Sequence, residues 1–139
     1  MNAVDTNVLV YRVDPTEPAK QAKALALLQT LTKTTPLSVL LWQVQGEFAN
    51  QMRGWQNLGR ITRAEFLNHV GAVRSLFPLV LPTSNVLDHA LDMTGRHSLS
   101  HWDNMILGAC KEAGVTTLYT ADMGAPTTYD GIQLINPFT

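Results

Sequence analysis

The chain has 139 residues, 45% of them hydrophobic, with ten Lys and Arg against eleven Asp and Glu. That length fits a single domain over residues 1–139 that buries a core without a metal or disulfide, and the near-neutral charge argues against a strongly basic nucleic-acid binder. The lone Cys110 leaves no disulfide framework, the apolar run around Leu37–Trp42 is too short to cross a bilayer, and no leader-like segment opens the chain, so a cytoplasmic protein without membrane contact is expected.

Short apolar runs alternate with helical patterns, which predicts an α/β domain of three layers with a central parallel sheet of about five strands. Ala3-Val4 with Val8–Val10 opens as a strand that turns into a helix near Asp5. A helix over Glu17–Leu31 follows, with Pro18 in its first turn and Ala22, Leu25, Leu28 and Leu31 along one side. Leu37–Leu41 reads as a strand, and Gln43–Trp55 as a helix ending near Gly59. Thr62 and Glu65 have the spacing of a capping box, which starts a helix running to about Leu76. Leu79–Leu81 is a short strand between prolines, and Thr83 or Ser84 caps the next helix. Ser100 caps a helix over His101–Ala113 that Gly114 stops, and Val115–Tyr119 and Ile132–Ile135 supply the last two strands.

Ligands of open α/β sheets bind at the carboxyl ends of the strands. Asp5 stands where the first strand should end, and Asp122 just past the Val115–Tyr119 strand. Asp103 lies in the first turn of the helix after Ser100, and Glu47 amid Val44, Phe48 and Met52 on the mid-chain helix. Four acids distant in sequence are thus expected to converge on one edge of the sheet. Packed carboxylates repel and take up protons unless a cation neutralises them, and hard ions such as Mg²⁺ or Mn²⁺ prefer such oxygen donors. The matching chemistry is metal-assisted hydrolysis of a phosphodiester. Taken singly, Asp103 also reads as a helix-dipole partner and Asp122 as a turn residue.

Other chemistries find less support. There is no glycine loop of the phosphate-cradling kinds and no Gly-x-Ser-x-Gly elbow. His69, His89, His97 and His101 have no zinc-type spacing with Cys110, which itself reads as a small core residue beside Ile106 and Leu107. A small-molecule phosphoryl hydrolase uses a similar acidic cluster. A covalent aspartyl phosphatase, however, wants a second Asp two residues after the first, where this chain has Asn7. A binding module that keeps the fold without the activity is the remaining alternative, and four intact acids argue against it. Arg53, Arg60, Arg63 and Arg74 crowd one stretch and supply a local basic surface for phosphates, or a solvated helix face.

Five blocks carry a family resemblance. They are Val4-Asp5-Thr6-Asn7, Glu47-Phe48-Ala49-Asn50, Ser100 to Ile106 with Ala109 and Gly114, Thr120-Ala121-Asp122-Met123, and the ending Asp130-Gly131-Ile132 with Ile135 to Phe138. In that order and spacing they resemble the PIN-domain ribonucleases, in particular the VapC-like toxin subunits of bacterial and archaeal toxin–antitoxin pairs. The resemblance implies a three-layer α/β/α domain with a Mg²⁺- or Mn²⁺-dependent endoribonuclease site acting on RNA. It implies Asp5, Asp103 and Asp122 as metal-facing carboxylates and Glu47 as the acid that holds or deprotonates a metal-bound water. Thr6 and Ser100 resemble the residues that orient these acids, with Asn7 and Asn104 contributing hydrogen bonds. It also implies a homodimer and a cognate antitoxin that silences the site. The chain departs from the pattern at Ala121, where many relatives carry a second acid, and in the continuation Gly124-Ala125-Pro126. The stretch Arg53 to Arg60 reads as a clamp, a dimer element or an ordinary helix end, and Leu41, Trp42, Trp55 and Leu58 are expected to supply apolar surface for the dimer.

Overall fold

The computed structural model describes residues Met1–Thr139. Strand β1 (Asn2–Val4) is buried along its whole length and ends at Asp5, whose side chain accepts from the Thr6 N–H and caps helix α1 (Thr6–Arg12). Val8–Val10, grouped with the opening strand from their sequence, are therefore helical. A capping Asp directs the backbone into a helix before their β-branched character counts. Helix α2 (Pro18–Leu31) follows with proline in its first turn, where a missing N–H costs nothing.

Strand β2 (Leu40–Leu41) leads directly into helix α3 (Trp42–Asn57). The expected capping box is formed: Thr62 accepts from the Glu65 N–H, Glu65 accepts from the Thr62 N–H, and helix α4 runs over Arg63–Arg74. Strand β3 (Leu79–Val80), helix α5 (Ser84–Met93), helix α6 (His101–Ala113) and strand β4 (Thr117–Tyr119) follow. Gly114 ends α6 in the left-handed region at φ 74°, a conformation that costs glycine little.

Strands β5 (Thr127–Tyr129) and β6 (Ile132–Ile135) close the chain. They form an antiparallel hairpin through Asp130 and Gly131, both at positive φ. The sequence did not announce β5, because Thr127-Thr128-Tyr129 is short and only partly buried at a sheet edge. The structure thus has six strands against about five expected.

Pairing runs β1-β4-β6-β5 in one ladder and β2-β3 in another, all parallel except β5. A parallel bridge between Asn2 and Ser38 joins the two ladders, so the order across the sheet is β3-β2-β1-β4-β6-β5. Helix α1 packs against α2 and α3, α3 against α4, and α5 against α6, which also meets β2 and β6. The helices cover both faces of the sheet, the three-layer architecture expected of near-continuous apolar parallel strands. One connected core joins β1, β2, β4 and β6 to the inner sides of α1, α2, α3 and α6, and Cys110 is wholly buried in it. No helix is long and apolar enough to cross a membrane.

Two features tie the outer elements down. Gly108 of α6 meets the α5 backbone so closely that a Cβ there would lie 2.6 Å from the Val86 carbonyl oxygen. Asp130 in the β5–β6 turn accepts from Arg96, His97 and Lys111, which link the end of α5, the following loop and α6.

Candidate active site

Asp5, Glu47, Asp103 and Asp122 line one pocket of about 380 Å³ at the carboxyl edge of the sheet, together with Thr6, Asn7, Val10, Tyr11, Asn50, Gln51 and Ile106. The four acids come from four separate elements, and no Lys, Arg or His is among the lining residues.

Asp5 is the best buried of the four, at 5% exposure. Its backbone N–H donates to the Tyr119 carbonyl and so extends the β1–β4 ladder by one residue. One carboxylate oxygen accepts from the Thr6 N–H at 2.7 Å and the other from the Thr120 hydroxyl at 2.8 Å. Burial raises its pKa from 3.8 to about 6; the Thr120 and Thr6 hydrogen bonds oppose that rise, and the charges of Glu47 and Asp122 add to it.

Glu47 sits in the second turn of α3. One oxygen accepts from the Thr6 hydroxyl at 2.7 Å and the other from the Gln43 amide at 2.8 Å. Gln43 lies one turn earlier on the same face and also donates to the Trp102 carbonyl, tying α3 to the start of α6. Asp103 stands in the first turn of α6, where its N–H donates to the capping Ser100 hydroxyl at 3.1 Å. Partial burial raises its pKa, and the charges of Asp122 and Glu47 push it the same way.

Asp122 is exposed on the loop after β4 and held from two sides. Its backbone N–H donates to the Thr120 hydroxyl at 3.0 Å, and its carboxylate accepts from the Asn7 amide at 2.9 Å. The other end of that amide accepts from the Ala121 N–H. The backbone at Ala121 is thus held by Asn7.

The structure therefore places all four predicted acids around one cavity, with Thr6, Ser100 and Asn7 bonded to them or to their backbone. Asn104 is placed elsewhere. It is wholly buried, its side-chain amide has no hydrogen-bond partner, and it is not on the pocket wall, so its expected contribution to the acids is corrected. One helical residue past Asp103 the side chain points into the core instead of the cleft.

Sequence reasoning assigned no role to Thr120 or Gln43. The signal for Thr120 was a hydroxyl at the end of a strand beside the last acid; for Gln43 it was the four-residue spacing to Glu47 on one helix face. The expected apolar surface also needs correction: Trp42 and Leu58 are exposed, whereas Leu41 and Trp55 are buried in the core.

No three Asp, Glu, His or Cys side chains stand close enough, as placed, to hold one ion. The donor set nevertheless suits a hard divalent cation. It is all oxygen, it carries four carboxylates without a compensating positive group, and burial, with a smaller contribution from mutual repulsion, raises the proton affinity of two of them.

A second, mostly apolar pocket of about 300 Å³ lies on the other side of Gln43 and Trp102, lined by Trp42, Leu81, Pro82, Val86 and Met105 among others.

No protein-family profile and no curated protein matches this sequence. Solved structures do match its fold. FitAcB from Neisseria gonorrhoeae aligns with a TM-score of 0.70 at 17% identity, over 99% of this chain and 99% of that one. A toxin–antitoxin complex from Klebsiella pneumoniae aligns at 0.66 and 15% identity, covering 99% of this chain and 98% of the other. VapC20 from Mycobacterium tuberculosis, described as a sarcin-ricin loop cleaving toxin, aligns at 0.64 and 18% identity, covering 89% and 92%. What is shared at these identities is the fold, over nearly the whole length of each chain.

Proposed function

We propose that this chain, acting as one unit over residues 1–139, is a Mg²⁺- or Mn²⁺-dependent endoribonuclease and the toxin of a toxin–antitoxin pair in the cytoplasm. The observation that carries the reading is the convergence of Asp5, Glu47, Asp103 and Asp122 on one pocket that has no positive side chain. A fold shared with a toxin described as cleaving the sarcin-ricin loop, and with a toxin–antitoxin complex, supports it.

In this reading Asp5, Asp103 and Asp122 hold the metal, which when bound supplies an activated water and charge stabilisation on the phosphate. The chain's own groups do the rest. Thr6 and Gln43 fix both oxygens of Glu47, the acid placed to hold or accept a proton from the attacking water. Thr120 and the Thr6 N–H fix Asp5, and Asn7 steers Asp122. An antitoxin would silence such a site by inserting a cation, most effectively an arginine, whose planar fork matches a carboxylate.

A homodimer is part of the proposal. Trp42, Leu81, Leu87, Leu91 and Trp102 are all more than two-fifths exposed, on or beside the elements that line the apolar pocket. Apolar surface of that kind marks an interface.

The test is cleavage of structured and unstructured RNA by the purified chain. EDTA should abolish it, Mg²⁺ or Mn²⁺ restore it, and Asp103→Asn and Glu47→Gln reduce it by orders of magnitude. Because water is the nucleophile, the products should carry no 2′,3′-cyclic phosphate. Full activity in EDTA, cyclic-phosphate ends, or turnover of small phosphomonoesters with RNA left intact would overturn the reading.

A further inference from the structure

The acidic pocket lies between two helices. Helix α1 contributes Asn7, Val10 and Tyr11 to its wall, and α3 contributes Glu47, Asn50 and Gln51. The two helices pack side by side, and the line between them leads away from the acids towards their C-terminal ends. At about 1.5 Å per helical residue, that is a run of roughly 10–15 Å.

Two cations stand along this path, each fixed on an aromatic ring. Lys20 Nζ lies 4.8 Å from the centre of the Tyr11 ring, itself a pocket wall, and 3.3 Å from its hydroxyl. The Arg60 guanidinium lies 3.9 Å from the centre of the Trp55 ring, one turn beyond Gln51 on α3. One of its nitrogens reaches Asp14, just past the end of α1, at 3.4 Å.

Neither cation is used up by these contacts. Lys20 has no ion-pair partner, and Arg60 makes a single long contact to a carboxylate that also accepts from the Thr16 N–H and hydroxyl. Ring stacking immobilises a guanidinium while leaving its edge free to donate.

From the acids outward this line is therefore graded in charge: carboxylates first, then the amides of Asn50 and Gln51, then the two cations beyond the pocket wall. We propose that this is the path of the RNA strand, with Lys20 and Arg60 as positioning residues that contact phosphates a few nucleotides from the scissile one. A strand drawn only to the inner end would meet repulsion from the acids. Cations at the far end give it attraction along a fixed direction and hence register. This inference rests on the ribonuclease reading.

Two measurements separate the inference from that reading. The first is binding of a labelled single-stranded RNA oligonucleotide to the non-cleaving Asp103→Asn chain across a KCl series. Lys20→Gln and Arg60→Gln should each flatten the slope of log affinity against log salt by about 0.7, the value for one phosphate contact on a single strand. Arg60→Lys should keep the slope, and Lys33→Gln, at the end of α2, should leave it unchanged. The second is steady-state cleavage by the otherwise native chain, where Lys20→Gln and Arg60→Gln should raise KM about tenfold with kcat held.

Cleavage with unaltered KM and unaltered salt slopes in both variants overturns the proposal and leaves the ribonuclease intact. A fall in kcat and melting temperature with an unaltered slope reduces Arg60 to a structural pin on Asp14 and Trp55, which also overturns it. Flattened slopes in a native chain that cuts no RNA would instead remove the ribonuclease reading.

Discussion

Replacing Asp5 by asparagine should stabilise the metal-free fold at high pH and lose that advantage as pH falls. Asp5 is almost fully buried, and its pKa stands at about 6 against an ordinary 3.8, chiefly because burial disfavours the charge and secondarily because Glu47 and Asp122 repel it. A carboxyl that holds its proton more tightly folded than unfolded costs stability once it ionises. Below pH 3.8 both states are protonated and the cost is absent; it grows towards pH 6 and is constant above. With each tenfold change in proton affinity worth about 1.4 kcal/mol, the plateau is about 3 kcal/mol.

Asparagine removes that cost but spoils one contact. Its NH₂ would face the Thr120 hydroxyl, which now donates to Asp5 and already accepts from the Asp122 N–H. A mismatched hydrogen bond of this kind costs about 1 kcal/mol. The expected balance is a gain of about 2 kcal/mol near pH 8 and a slight loss near pH 4. Urea unfolding in EDTA at fixed ionic strength across this range reads both numbers. A Mg²⁺ or Mn²⁺ titration should then favour the native chain, because an ion bound only by the folded state stabilises it. A difference that does not change with pH, or an asparagine variant less stable at pH 8, would refute the electrostatic argument.

Gly108→Ala should destabilise the chain by about 1–3 kcal/mol in thermal or urea unfolding, because the new Cβ would stand 2.6 Å from the Val86 carbonyl and force α5 off α6. Since α6 carries Asp103, cleavage should fall with it. Trp102→Glu should convert the proposed dimer to monomer with no loss of stability, because that indole is 63% exposed in the isolated chain. Light scattering at micromolar concentration checks it, and a native chain with the mass of one copy would remove the dimer.

Most of the fold was readable because its punctuation is local. The Thr62–Glu65 box, Ser100 ahead of Asp103, and Gly114 after α6 each fix a helix end within a few residues, and the structure forms all three. Val8–Val10 misled because three apolar residues in a row carry no period, and a single cap decided their state. Strand β5 was illegible because an edge strand held by one neighbour needs no apolar pattern of its own. Three of the four acids were readable as strand-end or first-turn positions, and Glu47 as a carboxylate amid the apolar Val44, Phe48 and Met52 of its helix. Their supports were less so: Thr120 reaches Asp5 across 115 residues, and only the parallel register of β1 with β4 brings the two together. Asn104 adjoined a well-matched acid in sequence yet faces the core, since neighbours on a helix point about 100° apart.

The site divides its work between rigid and adjustable carboxylates. Asp5 ends β1, which lies between β2 and β4 and is buried along its length, so its position is set by the core. Both of its oxygens are already bonded to Thr6 and Thr120. Asp122 lies at the other extreme, exposed on a loop and steered by one amide and one hydroxyl. Glu47 and Asp103 fall between, on helices that Gln43 ties together through the Trp102 carbonyl. Under the proposed function, such a gradient suits a centre whose cation would arrive, hold a substrate phosphate and release the product. In that reading Asp5 would fix the ion's position against the sheet, while Asp122 would follow changes in coordination without disturbing the core. The cost of ionising Asp5 in the folded chain would then be the counterpart of an affinity for a cation, because the same burial that disfavours the bare charge strengthens its attraction to an ion.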